Sequence, residues 1–252
     1  MRIVPLAADS LGVRSMATYV EAGTTGVLID PGATLAPARY GLPPSQEEWD
    51  ALKRANDRIS AYAARARYVF VSHYHDDHFR SDPAFYEGRV VLAKDPRRMV
   101  NGAQARRAQA LWSGLPGPGH IQPADGVSVS TADLELVVSP PLPHGTEGTT
   151  LGYLVALTVV DYREHQRFVF ASDVQGPLSA VAAAYLARQR PTLLYLSGPP
   201  AYLESQLGAD EHRLSSEILD AIDKLVEPGT NVSPTESIWS ASLGHSSRRR
   251  AR

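Results

Sequence analysis

The apolar run Tyr68-Val69-Phe70-Val71-Ser72 passes without a spacer into His73-Tyr74-His75-Asp76-Asp77-His78, and no other feature constrains this chain as strongly. A short β-branched and aromatic run reads as a buried strand. Strand side chains alternate between faces, so the i, i+2 spacing of His73 and His75 aims both rings the same way as the chain leaves the sheet. Asp77 and His78 then come from the turn that follows. Imidazole nitrogens with one or two carboxylates suit a borderline cation such as Zn²⁺, and a loop holding more donors than one tetrahedral ion needs points to two ions. The ordinary alternative is a polar loop that happens to be rich in His and Asp. Four donors at this spacing behind a β run weigh against it.

A chain of 252 residues with 43% hydrophobic content can bury the core of one α/β domain. Its formal charge of −2 gives no electrostatic reason to expect a nucleic-acid partner. Cysteine is absent, so any metal must be held by nitrogen and oxygen donors. The first residues contain no secretory apolar region, and no apolar run reaches the roughly 18 residues of a membrane span. A cytoplasmic protein without membrane contact, acting on a small molecule, is the expectation; nothing in the sequence addresses its oligomeric state.

Strands are predicted at Met16 to Val20, Gly26 to Ile29, Val127 to Ser130, Leu134 to Val138, Gly152 to Val160, Phe168 to Ala171 and Leu193 to Leu196. Ser45 with Glu48 three residues on is a capping-box pattern, and Trp49, Leu52, Ile59 and Ala63 then recur on one helical face that should cover a sheet. A second helix is predicted to open at Asp95-Pro96 and reach Trp112. Further helices follow from Leu178 to Arg190 and through Leu214, Ile218, Ile222 and Leu225. Short strands with helices at intervals fit two stacked sheets between helical layers, and the pattern alone leaves a doubly wound sheet open.

The string His-x-His-x-Asp-His resembles the signature of the metallo-β-lactamase fold superfamily. Asp30-Pro31-Gly32, His144 and Ala171-Ser172-Asp173 follow in that superfamily's order. Leu42-Pro43-Pro44, Val91-Leu92-Ala93-Lys94, Asn101 with Gln104, Pro143-His144-Gly145-Thr146-Glu147-Gly148-Thr149 and Ser172-Asp173-Val174-Gln175-Gly176-Pro177 are similar to a family of predicted metallo-hydrolases of no known substrate within it. The resemblance implies an α/β fold, a four-layer αββα sandwich of two mixed sheets with the metal loops along one edge. It also implies two divalent ions, with zinc favoured over iron or manganese. His73, His75 and His144 would surround the first ion, Asp77 and His78 the second, and Asp173 would bridge them. Asp77 is further implied as the proton acceptor for an attacking water, and Asp30 as a support that steadies the loop through hydrogen bonds. Alone, His144 would read as a loop histidine, Asp173 as a helix cap and Asp30 as a turn former.

A metal-dependent hydrolase using metal-bound hydroxide on a phosphoester or other ester is the expectation. A metal-binding protein with impaired turnover and a nuclease are the alternatives. Gly-x-Ser-x-Gly is missing, so a serine nucleophile finds no support. Tyr74, Tyr202 and Arg106 are candidates for a substrate pocket, with packed aromatics and a solvated helix face as the ordinary readings, the latter shared by Arg97, Arg98 and Arg107. His120, His165 and His212 read as surface residues. Residues 1–227 are expected to form the domain. Where the resemblance implies a last strand and an Asp-His-His segment, the chain reads Pro228-Gly229-Thr230-Asn231 and closes in Arg248-Arg249-Arg250-Ala251-Arg252. Residues 228–252 are therefore expected to be a divergent, disordered tail, such as a frameshift or truncation would leave. His245 in a serine-rich stretch is a poor substitute ligand.

Overall fold

The computed structural model describes residues 1–36, 41–115 and 121–198. Six strands form one sheet in sequence order: β1 (Arg2–Pro5), β2 (Thr18–Ala22), β3 (Thr25–Ile29), β4 (Tyr68–Val71), β5 (Val90–Ala93) and β6 (Ile121–Pro123). The first three are antiparallel neighbours, and β3 through β6 run parallel. Two of the three parallel connections carry helices, α1 (Gln46–Ala63) before β4 and α2 (Gly102–Gly114) before β6, and the connection from β4 to β5 carries the 3-10 turn Pro83–Tyr86.

A second sheet combines β7 (Ser128–Ser130), β8 (Leu134–Val138), β11 (Leu157–Asp161), β12 (Gln166–Ala171) and β13 (Leu193–Leu196), in the order β13-β12-β11-β8-β7. Between β8 and β11 a two-residue pair, β9 (Leu142–Pro143) and β10 (Tyr153–Leu154), closes a separate ribbon. Helix α3 (Ala180–Arg188) precedes β13.

Strand alternation divides the core into three layers. Val69 and Val71 face Ile59, Ala63, Ala108 and Leu111 of α1 and α2, while Tyr68 and Phe70 face Leu136, Leu157 and Phe170 of the second sheet. Val169 and Ala171 of β12 in turn pack under Ala182, Tyr185 and Leu186 of α3. Three apolar layers separate four structural layers, so the architecture is the expected αββα sandwich.

Local deviations from the sequence pattern have local causes. The Ser45 capping box forms, but Trp49 is 50% exposed, Leu52 is half-buried against the core, and Ala55, Ile59 and Ala63 are the buried residues of α1. Helix α2 starts six residues after Pro96, with the Asn101 side chain accepting from Gln104 N at 2.8 Å. Asp95 instead accepts from Arg97 N at 2.9 Å, and Met99 takes a φ of 54°, which stops a helix from running through. The predicted strand from Gly152 to Val160 is broken after Leu154, since Val155 N donates to Ser72 O and Ala156 O accepts from Ser139 N. The last predicted helix and the tail lie outside the described residues. No helix among the described residues is long and apolar enough to cross a membrane.

Candidate metal centre

Four strand ends meet at one edge of the sandwich. β3 leads into Asp30, β4 into Ser72 and His73, β12 into Ser172 and Asp173, and β9 into His144. Because β3 and β4 are parallel neighbours, Asp30 and Ser72 emerge side by side, with Asp30 N donating to Phe70 O at 2.9 Å. Asp30, Asp173 and Gln175 hold φ values of 44°, 47° and 57°. Left-handed backbone outside glycine is costly, and its concentration here marks a turn geometry that the surrounding packing enforces.

The donors converge. His73 Nε2 lies 3.0 Å from His75 Nδ1 and 3.2 Å from Asp173 Oδ2. The same carboxylate oxygen is 3.0 Å from His144 Nε2 and 3.2 Å from His78 Nε2. Asp77 Oδ2 stands 3.6 Å from His78 Nε2. One atom from each of His73, His75, His144 and Asp173 lies within 4.8 Å of all the others. Among the described residues the structure thus brings together all six sequence-predicted ligands, with Asp173 where the two groups join.

Behind this cluster a buried network fixes the tautomers. Asp30 accepts from Ser72 N at 2.7 Å, from Ser72 Oγ at 2.6 Å and from His78 Nδ1 at 2.9 Å. Ser172 Oγ donates to Ser72 Oγ at 2.7 Å, joining the two sheets. With its own proton committed to Asp30, Ser72 Oγ can only accept from His73 Nδ1, 2.9 Å away. Nε2 of His73 is therefore a lone pair that faces a carboxylate oxygen at 3.2 Å. Two acceptors so placed repel unless a cation lies between them, and His144 Nδ1 is buried with no partner. The residues present fit a divalent metal.

Electrostatics agree with a site built for positive charge. Burial holds His73 well below the ordinary imidazole range, and burial with the neighbouring His144 lowers His75 to about 4. Burial also disfavours the charged form of His78, yet the Asp173 and Asp77 carboxylates outweigh it and raise its pKa well above 6.5. Burial would raise Asp173 and Asp77 too, but the facing imidazoles, and Arg14 for Asp77, keep both ionised below the usual carboxylate range. An unfolded chain protonates His75 near its ordinary 6.5 while the folded chain resists until about 4, so metal-free protein loses stability as pH falls from 6.5 to 4. His73 adds to the same loss, His78 with its raised pKa offsets part of it in the upper part of the range, and the depressed carboxylates enter only near its acid end. Urea midpoints measured in chelator should fall between pH 7 and pH 4.5; an unchanged midpoint would show that these imidazoles are not held neutral.

Tyr74 needs correction as a pocket residue. It is fully buried, its hydroxyl donates to Lys94 O and accepts from Trp112 Nε1, and its backbone N donates to Gln104 Oε1. It anchors the ligand loop from below. Gln104, also fully buried, extends the clamp by donating from Nε2 to Leu151 O at 2.6 Å, in the segment that follows His144. Arg106 is exposed on α2, whereas Arg107 reaches Asp76 of the ligand loop at 3.0 Å. Tyr202, His120, His212 and His245 lie outside the described residues, and His165 sits in an exposed turn. Gly32 carries a close approach: a Cβ there would come within 2.5 Å of His78 N and Phe79 N. Ser72, Ser172 and Gln104 were not legible as site residues, although each serine directly precedes a predicted ligand.

No family model matches the chain. It is 42% identical over 217 residues to the UPF0282 protein MK0213 of Methanopyrus kandleri, covering 81% of this chain and 73% of that protein. The chain belongs to the UPF0282 family. A second UPF0282 protein, from Korarchaeum cryptofilum, is 38% identical over 234 residues, covering 90% of this chain and 77% of the relative. Among solved structures, a metallo-β-lactamase of Cronobacter sakazakii aligns at 15% identity and a TM-score of 0.46, covering 84% of this chain and 92% of that one. The metallo-β-lactamase SMB-1 aligns at 17% identity and a TM-score of 0.44, covering 85% and 90%. In this UPF0282 member the His/Asp cluster stands at the edge where both sheets end.

Proposed function

We propose that this UPF0282 protein is a metal-dependent hydrolase of phosphoesters or related esters. The observation that carries the reading is the convergence of four imidazoles on one oxygen-centred cluster, with Asp173 Oδ2 within 3.2 Å of His73, His78 and His144. His73, His75 and His144 would hold one divalent ion, Asp77 and His78 a second, and Asp173 both. Four nitrogen donors and no cysteine favour zinc, with iron and manganese as the other candidates. Bound ions of this kind supply an acidified water and charge stabilisation for the developing oxyanion.

The chain's own residues supply the rest. Asp30 fixes His78 through its Nδ1, and Ser72 fixes His73 in the same way, so both rings present Nε2 without rotational search. Asp77, ionised at neutral pH, accepts the proton of the attacking water. The strand ends keep these groups in place while the two sheets, joined by the Ser72–Ser172 hydrogen bond, restrict their relative movement.

Protein purified without chelator should carry more than one zinc, iron or manganese ion per chain by elemental analysis. His75→Ala should lower that content, whereas His165→Ala, in its exposed turn, should not. Asp77→Asn should lower hydrolysis across a panel of chromogenic phosphodiesters, phosphomonoesters, thioesters and lactones. Metal-free wild type, or equal loss in the His75 and His165 variants, would overturn the ligand assignment; full turnover by Asp77→Asn would remove Asp77 as proton acceptor.

A further inference from the structure

Arg14 belongs to no ligand motif and lies in the irregular segment between β1 and β2, yet its Nη2 sits 3.1 Å from Asp77 Oδ2. Among the described residues, no other lysine or arginine forms an ion pair with a candidate ligand. We infer that Arg14 is a substrate-binding residue that grips a phosphate oxygen, which makes the substrate class phosphoesters in preference to neutral esters. The inference rests on the metallo-hydrolase reading and narrows it.

The segment is built to hold this side chain still. Arg14 N donates to Thr34 O and Thr34 N to Arg14 O, both at 2.9 Å, and on either side Val13 and Ser15 are buried. Ser15 Oγ donates to Gly32 O at 2.6 Å, tying the segment to the loop that carries Asp30 and packs under His78. The backbone is thus fixed relative to the metal cluster while the guanidinium stays open to solvent, its side chain 39% exposed. A guanidinium has five donors in a rigid fork, and that fork matches phosphate.

A phosphoester carries an anionic oxygen that a half-exposed guanidinium beside Asp77 can bind, and a neutral ester does not.

Wild type, Arg14→Gln and Arg14→Lys, each reconstituted with zinc, would be titrated calorimetrically with inorganic phosphate, and their zinc content measured. Arg14→Gln is expected to bind phosphate roughly ten- to hundredfold more weakly at unchanged zinc content, as loss of a charge-assisted contact predicts. Arg14→Lys, which keeps the charge and loses the fork, should fall between the two. Hydrolysis of bis(p-nitrophenyl) phosphate should drop in parallel with phosphate affinity, and by a larger factor than hydrolysis of p-nitrophenyl acetate, which Arg14 touches only through Asp77. Equal phosphate affinity in zinc-loaded wild type and Arg14→Gln overturns the inference, and so does loss of zinc from Arg14→Gln, which would make Arg14 a holder of Asp77. Should Arg14→Gln not fold, an Arg14→Lys affinity equal to wild type overturns it. A wild type that retains no zinc overturns the parent reading, an outcome separate from the others.

Discussion

Asp173→Asn should leave the fold intact and remove nearly all turnover. Asparagine accepts the left-handed backbone that Asp173 adopts at a φ of 47°, so the turn after β12 survives the exchange. What disappears is the negative charge at the point where His73, His78 and His144 meet within 3.2 Å. The raised pKa of His78 depends first on Asp173 once burial is set aside, so it should fall in the variant. On the proposed reading Asp173 holds both ions, so its loss should release the second. Several kcal/mol of charge stabilisation depend on such an ion, so turnover should fall by a factor on the order of a thousand. Circular dichroism, elemental analysis and the chromogenic panel test the three parts separately. A variant that keeps both ions and wild-type turnover would show that Asp173 is not the bridge.

Asp30→Ala should act on stability and metal affinity together, although Asp30 is not assigned as a ligand. Its carboxylate is fully buried and is the acceptor for Ser72 N, Ser72 Oγ and His78 Nδ1. Alanine leaves those donors in a site that water does not reach, at a cost of about 3–5 kcal/mol, a large share of a typical domain's stability. With its Nδ1 unanchored, His78 should lose orientation, and affinity for metal should drop roughly 10- to 100-fold. Asp30→Asn separates the causes, because it tolerates the φ of 44° and removes only the carboxylate. Urea unfolding and metal titration of both variants would read the effect. If Asp30→Ala unfolds at the wild-type midpoint, the network does not stabilise the strand ends as its geometry implies.

The sequence determined more of this site than of its surroundings. His73, His75, Asp77 and His78 are contiguous, so their order alone put four donors at the end of β4; His144 and Asp173 were legible through a resemblance that fixed their order along the chain. The layer order was legible only through the resemblance, because a strand apolar on both faces, such as Tyr68-Val69-Phe70-Val71, fits a doubly wound sheet equally well; the structure turns Val69 and Val71 toward the helices and Tyr68 and Phe70 toward the second sheet. Helix boundaries were less legible. Asp95-Pro96 carries a sound helix-start pattern, but local bonds from Arg97 and the backbone turn at Met99 prevail, and Asn101 becomes the cap. Trp49 matched a helical stripe, yet it stands 50% exposed.

Tertiary structure alone decided who stands behind the ligands. Ser72 and Ser172 are 100 residues apart and meet only because β4 and β12 end at the same edge of two stacked sheets. Arg14 reaches Asp77 across 63 residues, Gln104 joins the ligand loop to the segment after His144, and Tyr74 turns from a supposed pocket residue into a buried anchor. A short motif encodes its own donors because strand geometry spaces neighbours predictably. Partners that arrive from other strands are set by sheet register and layer packing, which no local spacing specifies.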